Sequence, residues 1–202
     1  MNNMKETGSV KFNYDWIQKP ALPFHEIGEL NDWRNKLYAL QLIGENADGI
    51  GYGNISRRYK GNTFIISGSA TGKIQRLNET HYTLVTAYDL NNNSLTTEGP
   101  IVASSESMTH AVIYEALPEV NFVMHVHHLA LWRKLLQTNP ATSSSVEYGT
   151  PAMAREIQRL LKDTNIASIK LFAMGGHEEG IISFGANAAE VGSLIIDAWE
   201  QL

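Results

Sequence analysis

Cysteine is absent from the 202 residues of this chain. Disulfide bonds and thiolate metal ligands are therefore excluded, and any metal would be held by imidazole, carboxylate or water. The sequence also has no apolar stretch approaching the roughly 20 residues that a membrane span requires, and no apolar signal core at its N-terminus. We therefore expect a soluble, cytoplasmic protein with no membrane partner.

A strong charge of one sign is lacking as well, because 16 Lys and Arg residues stand against 21 Asp and Glu residues, a formal net charge of −5. This balance gives no reason to expect nucleic acid as a partner. The hydrophobic share of 43%, without linkers or low-complexity tracts, is typical of a chain that buries one core. We predict a single domain over residues 1–202, of which residues 1–11 are polar and expected to be flexible.

Hydrophobic spacing predicts the secondary structure. A helix is predicted over residues 29–46, where Leu30, Trp33 and Leu37 fall on one stripe. Capping and periodicity predict further helices that start after Glu106, at 129, at 151 and after Asn187. Short apolar runs predict strands at 54–59, 63–67, 81–88, 121–127, 169–174 and 181–184. This order, without strict βαβ alternation, predicts a mostly antiparallel sheet covered by helices.

His125 and His127 end the predicted strand that starts at Asn121. Alternation along a strand would place both imidazoles on one face of the sheet, and two neighbouring neutral imidazoles suit a divalent metal. The alternative for an isolated His-x-His pair is two surface or hydrogen-bonded histidines at a strand end. Other motifs must therefore decide between the two interpretations.

Three further segments are rich in hydroxyls and in backbone N–H groups at glycines or helix starts, which is how neutral groups bind phosphate. They are Gly53-Asn54-Ile55-Ser56, Ser67-Gly68-Ser69-Ala70-Thr71-Gly72 and Ser104-Ser105-Glu106. Each alone is compatible with a plain turn or an ordinary helix N-terminus. The basic residues nearby, Arg57, Arg58 and Lys73, are interpreted as exposed and solvated.

Taken in this order, the segments and the His-x-His pair resemble the class II aldolase/adducin family, typified by fuculose-1-phosphate and rhamnulose-1-phosphate aldolases, from about Gly53 to Gly185. The resemblance implies an α/β fold of three layers, α/β/α, with a central, mostly antiparallel mixed sheet flanked by helices, and a homotetramer. It further implies a phosphate site at Gly53, Asn54, Ser69, Ser104 and Ser105, a catalytic acid/base at Glu106, and zinc or another divalent transition metal on His125 and His127.

Two segments depart from the family pattern. The family's third histidine ligand directly precedes a glycine, whereas here the run is His177-Glu178-Glu179-Gly180. Counting back from the glycine gives Glu179 as the third ligand, whereas the residue type of the family ligand gives His177. We predict that His177 is the third ligand, with Glu179 as the alternative. Glu178 is predicted to lie at the surface. The expected Pro-Ser-Gly turn reads Gly68-Ser69-Ala70, which leaves open whether phosphate binding is retained.

The resemblance implies a metal-dependent aldolase-like lyase that acts on a small phosphorylated ketose, or a similar hydroxy-carbonyl compound, through a metal-stabilised enediolate. Glu106, where the epimerase branch has an aspartate, disfavours epimerisation. A dehydratase of the methylthioribulose-1-phosphate type stays open, as do a non-catalytic adducin-like assembly module and a metal-dependent binding protein. The tyrosine that some aldolases use as a proton donor has no counterpart that we can place. His110, one turn after Glu106, is interpreted as a structural hydrogen-bonding residue.

Overall fold

The computed structural model describes residues 13–202, so the flexibility predicted for residues 1–11 lies outside the described part of the chain. The helices are α1 (Phe24–Ala39), α2 (Ser107–Ala116), α3 (Leu129–Thr138), α4 (Pro151–Asp163), α5 (Ile166–Ile169) and α6 (Ala188–Glu200), and a 3₁₀ turn spans Glu79–His81. The strands are β1 (Asn13–Gln18), β2 (Gly44–Glu45), β3 (Gly51–Tyr52), β4 (Asn54–Arg58), β5 (Phe64–Ser67), β6 (Tyr82–Asp89), β7 (Ser94–Gly99), β8 (Phe122–His127), β9 (Leu171–Ala173) and β10 (Gly180–Gly185).

Eight strands form one sheet in the order β1-β7-β6-β5-β4-β8-β10-β9. Strand β1 runs parallel to β7, and the other neighbouring pairs are antiparallel. Strands β2 and β3 form a separate small hairpin. The prediction of a mixed, mostly antiparallel sheet is therefore confirmed. Strand β8, which carries the His-x-His pair, lies in the interior of the sheet between β4 and β10.

Apolar side chains cover both faces of the sheet. Along β8, Phe122, Met124 and Val126 pack in the cluster that contains the buried residues of α1, α3 and α6. Val123, which alternates with these residues along β8, packs on the other face of the sheet, in the cluster that contains the buried residues of α2 and α4. The molecule thus has the predicted three layers, and strand alternation places His125 and His127 on the α2 and α4 side.

Helices α4 and α6 begin at side-chain caps. The Thr150 hydroxyl accepts a hydrogen bond from the Met153 N–H, with Pro151 as the first helical residue, and the Asn187 side chain accepts one from the Glu190 N–H. Side-chain caps of this kind satisfy the first N–H groups of a helix. Within residues 13–202, no helix combines the length and the apolar character needed to cross a membrane.

The helix predicted over residues 29–46 is shifted in the structure. Helix α1 starts five residues earlier, at Phe24, and ends at Ala39, because Gln41 adopts a positive φ of 58° that turns the chain out of the helix. Leu42 and Ile43 are nevertheless buried in the same apolar cluster as α1. Because these two residues are apolar and buried, the apolar pattern of the sequence continues beyond the end of the helix. This explains why the predicted helix extended too far.

Candidate active site

Three histidine side chains converge at the end of strand β8. His125 and His127 are both buried on the strand, and His177 comes from the loop between β9 and β10. The Nε2 atom of His127 lies 3.0 Å from that of His125 and 3.1 Å from that of His177. All three candidate ligand atoms fall within 4.8 Å of one another.

Burial keeps the two strand histidines neutral. Desolvation lowers the pKa of His125 to about 4, and desolvation with the neighbouring His125 and His177 holds the pKa of His127 well below its ordinary value. The Nδ1 atom of His125 is 3.1 Å from the Ile181 carbonyl oxygen, to which a protonated Nδ1 donates. The Nε2 lone pair of His125 is then available as a ligand.

The arrangement fits a divalent cation. Zinc binds imidazole nitrogen at about 2.0–2.1 Å, so neighbouring nitrogens of a tetrahedral site lie about 3.3 Å apart. The two measured Nε2 separations, 3.0 and 3.1 Å, are close to that value. Three imidazoles also leave a fourth position for water or substrate, as in catalytic zinc sites. The histidine triad could therefore bind a metal ion.

The alternative third ligand, Glu179, is not part of the cluster among the described residues. Its backbone has a positive φ of 67°, and its carbonyl oxygen accepts a hydrogen bond from the His128 N–H. Glu178 is exposed, as the sequence predicted. Of the two open choices, the structure places His177 with the strand histidines.

A cavity of about 470 Å³ adjoins the histidines and brings together the predicted site residues. They line it from five parts of the chain: Gly53, Asn54, Ser69, Ser104, Ser105, Glu106, His125, His127 and His177. Its size suits a small ligand. The Oδ1 atom of Asn54 is buried and has no hydrogen-bond partner among the described residues, so a hydroxyl or another donor group of a bound ligand would satisfy it.

Glu106 is the residue before helix α2 and is only 2% exposed. Its Oε2 atom accepts a hydrogen bond from the Thr109 hydroxyl at 2.8 Å, and its N–H donates to the Ser104 hydroxyl oxygen at 3.3 Å. Because residues 104–106 line the cavity, the N-terminus of α2 lies at its wall. The helix dipole and first N–H groups favour an anion at such a position.

Gly53 and Ser69 lie in the two turns that face this helix end. Gly53 has a φ of +78°, and a Cβ there would come within 2.7 Å of the Ile43 side chain, so only glycine fits. The Ser69 N–H donates to the Val102 carbonyl oxygen at 2.8 Å. Ser69 therefore offers its hydroxyl to a ligand, and its N–H is already used within the protein.

Sequence reasoning missed several residues that line the cavity. The Tyr148 ring lies 4.1 Å from the ring of His177, and the Tyr52 ring stacks on His127 at 5.1 Å. Neither tyrosine stands in a motif, so only the folded structure reveals them. The neighbouring Ser143, Ser144, Ser145 and Glu147, whose role the sequence left open, are exposed and do not line the cavity.

Two of the basic residues that lie close to the site residues in sequence differ from the sequence interpretation. Arg57 pairs with Glu26 at a partly buried position, and Arg58 donates to backbone carbonyls around the end of α2. Both are half-buried, so their interpretation as exposed was wrong. Lys73 is exposed, as expected, and lines the cavity.

His110 is fully buried on α2, where its Nδ1 atom lies 2.6 Å from the Ser56 hydroxyl oxygen. That hydroxyl is also 2.8 Å from the hydroxyl of Tyr114. Burial holds the pKa of His110 well below its ordinary value, with His125 as a second cause. His110 therefore belongs to a hydrogen-bonded group behind the site and not to the cluster of candidate ligands.

The fold and the site define a class of protein: a three-layer α/β/α domain with a histidine cluster, a buried carboxylate and a helix N-terminus around one cavity. The chain belongs to the family described as Class II Aldolase and Adducin N-terminal domain, whose model matches residues 38–196.

Solved structures with a similar fold carry aldolase names. An L-fuculose 1-phosphate aldolase has a TM-score of 0.65 at 18% identity, with 90% of this chain and 84% of that chain covered. A sugar-phosphate aldolase from Thermotoga maritima has a TM-score of 0.63 at 15% identity, with 86% and 90% covered. An L-fuculose 1-phosphate aldolase from Glaciozyma antarctica PI12 has a TM-score of 0.59 at 15% identity, with 87% and 69% covered. No curated protein sequence matches the chain. At these identities the likeness shows the fold.

Proposed function

We propose that this protein is a metal-dependent, aldolase-like lyase that cleaves a small phosphorylated ketose or a similar hydroxy-carbonyl compound. The observation that carries the proposal is the convergence of three imidazole nitrogens beside a buried carboxylate in one cavity. The family membership and the aldolase names of the similar structures support it. The retained histidines and Glu106 argue against a purely structural module of the adducin type.

His125, His127 and His177 would hold the cation, each through Nε2. The chemistry that a bound Zn²⁺ supplies is Lewis acidity, which polarises a carbonyl and stabilises an enediolate. Imidazole ligands discriminate poorly among first-row metals, so Mn²⁺, Fe²⁺ or Co²⁺ would serve the same set. The hydrogen bond between His125 and the Ile181 carbonyl orients one ring of the set.

Glu106 is proposed to move the proton. In aldol cleavage, the hydroxyl next to the scissile carbon–carbon bond loses its proton as the bond breaks to give an aldehyde, and the enediolate carbon then gains a proton. A single carboxylate can accept the first proton and return it in the second step. The Thr109 hydroxyl holds one oxygen of Glu106 in place, which keeps the other oriented.

The phosphate of the substrate is proposed to bind opposite the histidines. Asn54 would donate from its side-chain Nδ2, Ser69 from its hydroxyl, and Ser104 and Ser105 would contribute the N-terminal end of α2. Such a group of neutral donors binds phosphate through hydrogen bonds, and Lys73 adds a positive charge to the lining of the same cavity. The homotetramer implied by the sequence resemblance stays a prediction, which sedimentation velocity would check.

The test is an assay of the zinc-loaded protein with ketose 1-phosphates, including fuculose 1-phosphate and rhamnulose 1-phosphate. Cleavage of such a substrate releases a triose phosphate and an aldehyde, whereas dehydration keeps all carbons in one product, so mass spectrometry separates the two reactions. We expect Glu106→Gln to lower kcat by at least about 10²-fold. Glu178→Gln, at an exposed position on the histidine loop, is the matched control and should leave kcat unchanged. Absence of any turnover by metal-loaded wild-type protein would contradict the proposal.

A further inference from the structure

Arg34, on helix α1, reaches the loop that follows strand β5. We call residues 68–75 the cavity loop, because residues 68–73 line the cavity. The Nη2 atom of Arg34 donates to the carbonyl oxygens of Thr71 and Gly72 at 3.0 and 2.9 Å, and Nη1 donates to that of Gln75 at 2.9 Å. Arg34 thus holds three carbonyl groups of the cavity loop with one rigid guanidinium.

The charge of Arg34 is buried without an acidic partner. Its side chain is 1% exposed, and within residues 13–202 no carboxylate oxygen lies within 4.0 Å of it. The Tyr38 ring lies 4.6 Å from the guanidinium carbon, so one face of the charge packs against an aromatic ring. Desolvation lowers the pKa of Arg34, but a guanidinium stays protonated at neutral pH. A buried charge that faces only dipoles is costly, and an anion nearby offsets that cost.

The contacts also orient the cavity loop. A peptide unit is planar and trans, so its N–H points opposite to its C=O. When the Thr71 and Gly72 carbonyls point at Arg34, the N–H groups of Gly72 and Lys73 point away from it. The nitrogens of Lys73 and Gly72 lie 2.9 and 3.2 Å from the place where a Cβ on Gly51 would stand, so these N–H groups face strand β3, whose residues Gly51 and Tyr52 line the cavity together with residues 71–73.

We propose that Arg34 is a positioning residue for anion binding: it fixes the cavity loop from behind and supplies a buried positive charge whose counter-charge is the phosphate of the bound substrate. Arg34 acts through the loop and does not touch the phosphate. This role of Arg34 rests on the proposed function, because it requires a substrate that carries a phosphate. It explains why a phosphate pocket lined mainly by neutral groups attracts an anion.

The test is calorimetric titration of zinc-loaded protein with inorganic phosphate. Arg34→Met should weaken phosphate binding by about ten-fold or more, because both the charge and the carbonyl contacts are lost. Arg34→Lys keeps the charge without the forked geometry and should bind with intermediate affinity. With a cleavable substrate, Arg34→Lys should raise KM more than it lowers kcat, and should do so only when the substrate is phosphorylated.

Arg58→Met is the matched control. Arg58 also donates to several backbone carbonyls, those of Val120, Gly61, Tyr114 and Leu117, but lies outside the cavity. Its replacement removes a comparable set of contacts and should leave phosphate affinity within about two-fold. Circular dichroism and zinc content confirm that each variant is folded, and Arg34→Lys carries the test if Arg34→Met does not fold.

The outcomes distinguish a failure of the proposed role of Arg34 from a failure of the proposed lyase function. Phosphate binding by the wild type that is unchanged in both Arg34 variants would overturn the role of Arg34 while leaving the phosphate pocket in place. Equal losses in Arg34→Met and Arg58→Met would also overturn it, because the effect would be general destabilisation. A wild type that cleaves ketose phosphates but binds no inorganic phosphate would overturn the role of Arg34 and leave the lyase proposal standing. A wild type that does neither would remove the proposed function itself.

Discussion

The Nδ1 atom of His125 lies 3.1 Å from the carbonyl oxygen of Ile181 on the adjacent strand β10. A main-chain acceptor at this place selects the tautomer with the proton on Nδ1 and turns the Nε2 lone pair toward His127 and His177. Because strand pairing fixes the position of the carbonyl, the sheet itself prepares one ligand of the proposed metal site. Outer contacts of this kind commonly orient metal-binding histidines.

Removal of His125 should therefore abolish metal binding. We expect about one zinc ion per chain in wild-type protein and more than about 100-fold weaker binding in His125→Ala and His177→Ala, since each loses a ligand. Glu179→Gln is the control, because Glu179 lies in the same loop but outside the histidine cluster. Zinc content is measured by mass spectrometry of the metal after dialysis, with the fold checked by circular dichroism. Loss of zinc in Glu179→Gln with retention in His177→Ala would reverse the assignment of the third ligand.

The sequence predicted the central parts of the site because they depend on local geometry. Strand alternation placed His125 and His127 on one face, and the helix start placed Glu106. The third histidine could not be chosen by counting from Gly180, because the positive φ of Glu179 changes the direction of the loop. No local pattern indicates a turn of that kind at a glutamate, so residue type alone favoured His177 over Glu179 in the sequence, and the structure adds that His177 lies beside the strand histidines.

Other parts of the fold gave no sequence signal. Strand β7 buries Leu95, Thr97 and Gly99, of which only one is a large apolar residue, so its alternation is invisible to a hydrophobic pattern. Strand β1 carries Tyr14 and Trp16 at alternate positions, but it is exposed along its whole length, and no local pattern indicated its parallel pairing with β7. Arg34 would be assigned to the surface because arginine is mostly exposed in proteins. Its burial depends on partners that lie about 40 residues away in the chain. These features depend on long-range contacts.

Gly72 is expected to be intolerant of substitution. A Cβ at Gly72 would lie 2.4 Å from the Tyr52 carbonyl oxygen and 2.6 Å from the Tyr52 nitrogen, both main-chain atoms that cannot rotate away. Gly72→Ala should lower the free energy of unfolding by about 1–3 kcal/mol through overpacking. Urea denaturation measures this difference.

Gly28→Ala is the matched control for that substitution. Gly28 lies inside helix α1, and its Cβ would make only ordinary contact, at 3.4 Å, with the exposed Phe24 ring. Alanine is the better helix former by about 0.8–1.0 kcal/mol, so this variant should be more stable than wild type. If Gly72→Ala were as stable as wild type, the close packing between the cavity loop and the β2–β3 hairpin would be incorrect.

Ser56 should be important for stability without being needed for metal binding. Its hydroxyl is the shared partner of the His110 imidazole and the Tyr114 hydroxyl, and all three residues are buried. Ser56→Ala leaves the His110 Nδ1 without this partner, which should cost about 1–3 kcal/mol of unfolding free energy. Ser193→Ala, at an exposed position on α6, should change stability by less than about 0.5 kcal/mol. Zinc content should match wild type in both variants; loss of zinc in Ser56→Ala would instead place this hydroxyl in direct support of the metal site.

The ion pair between Lys170 and Glu190 should make stability depend on acid pH. The Lys170 Nζ atom lies 2.5 Å from Glu190 Oε1, and the Ala186 N–H donates to Oε2 at 2.9 Å. These hydrogen bonds, that from Lys170 first, hold the pKa of Glu190 below its ordinary value of 4.5. A carboxylate with a depressed pKa stabilises the folded state above its unfolded pKa, and this contribution is lost as the pH falls through the folded pKa.

Glu190→Gln should accordingly be less stable than wild type at pH 7, with a difference that shrinks as the pH is lowered below about 4.5. The measurement is thermal unfolding of both proteins across pH 7 to 3.5. The histidine site is common to both proteins, so its titration cancels in the difference. Glu29→Gln, at an exposed position on α1, serves as the control and should track wild type at every pH. A stability difference for Glu190→Gln that stays constant down to pH 3.5 would mean that packing of the side chain, and not its charge, supports the junction between β10 and α6.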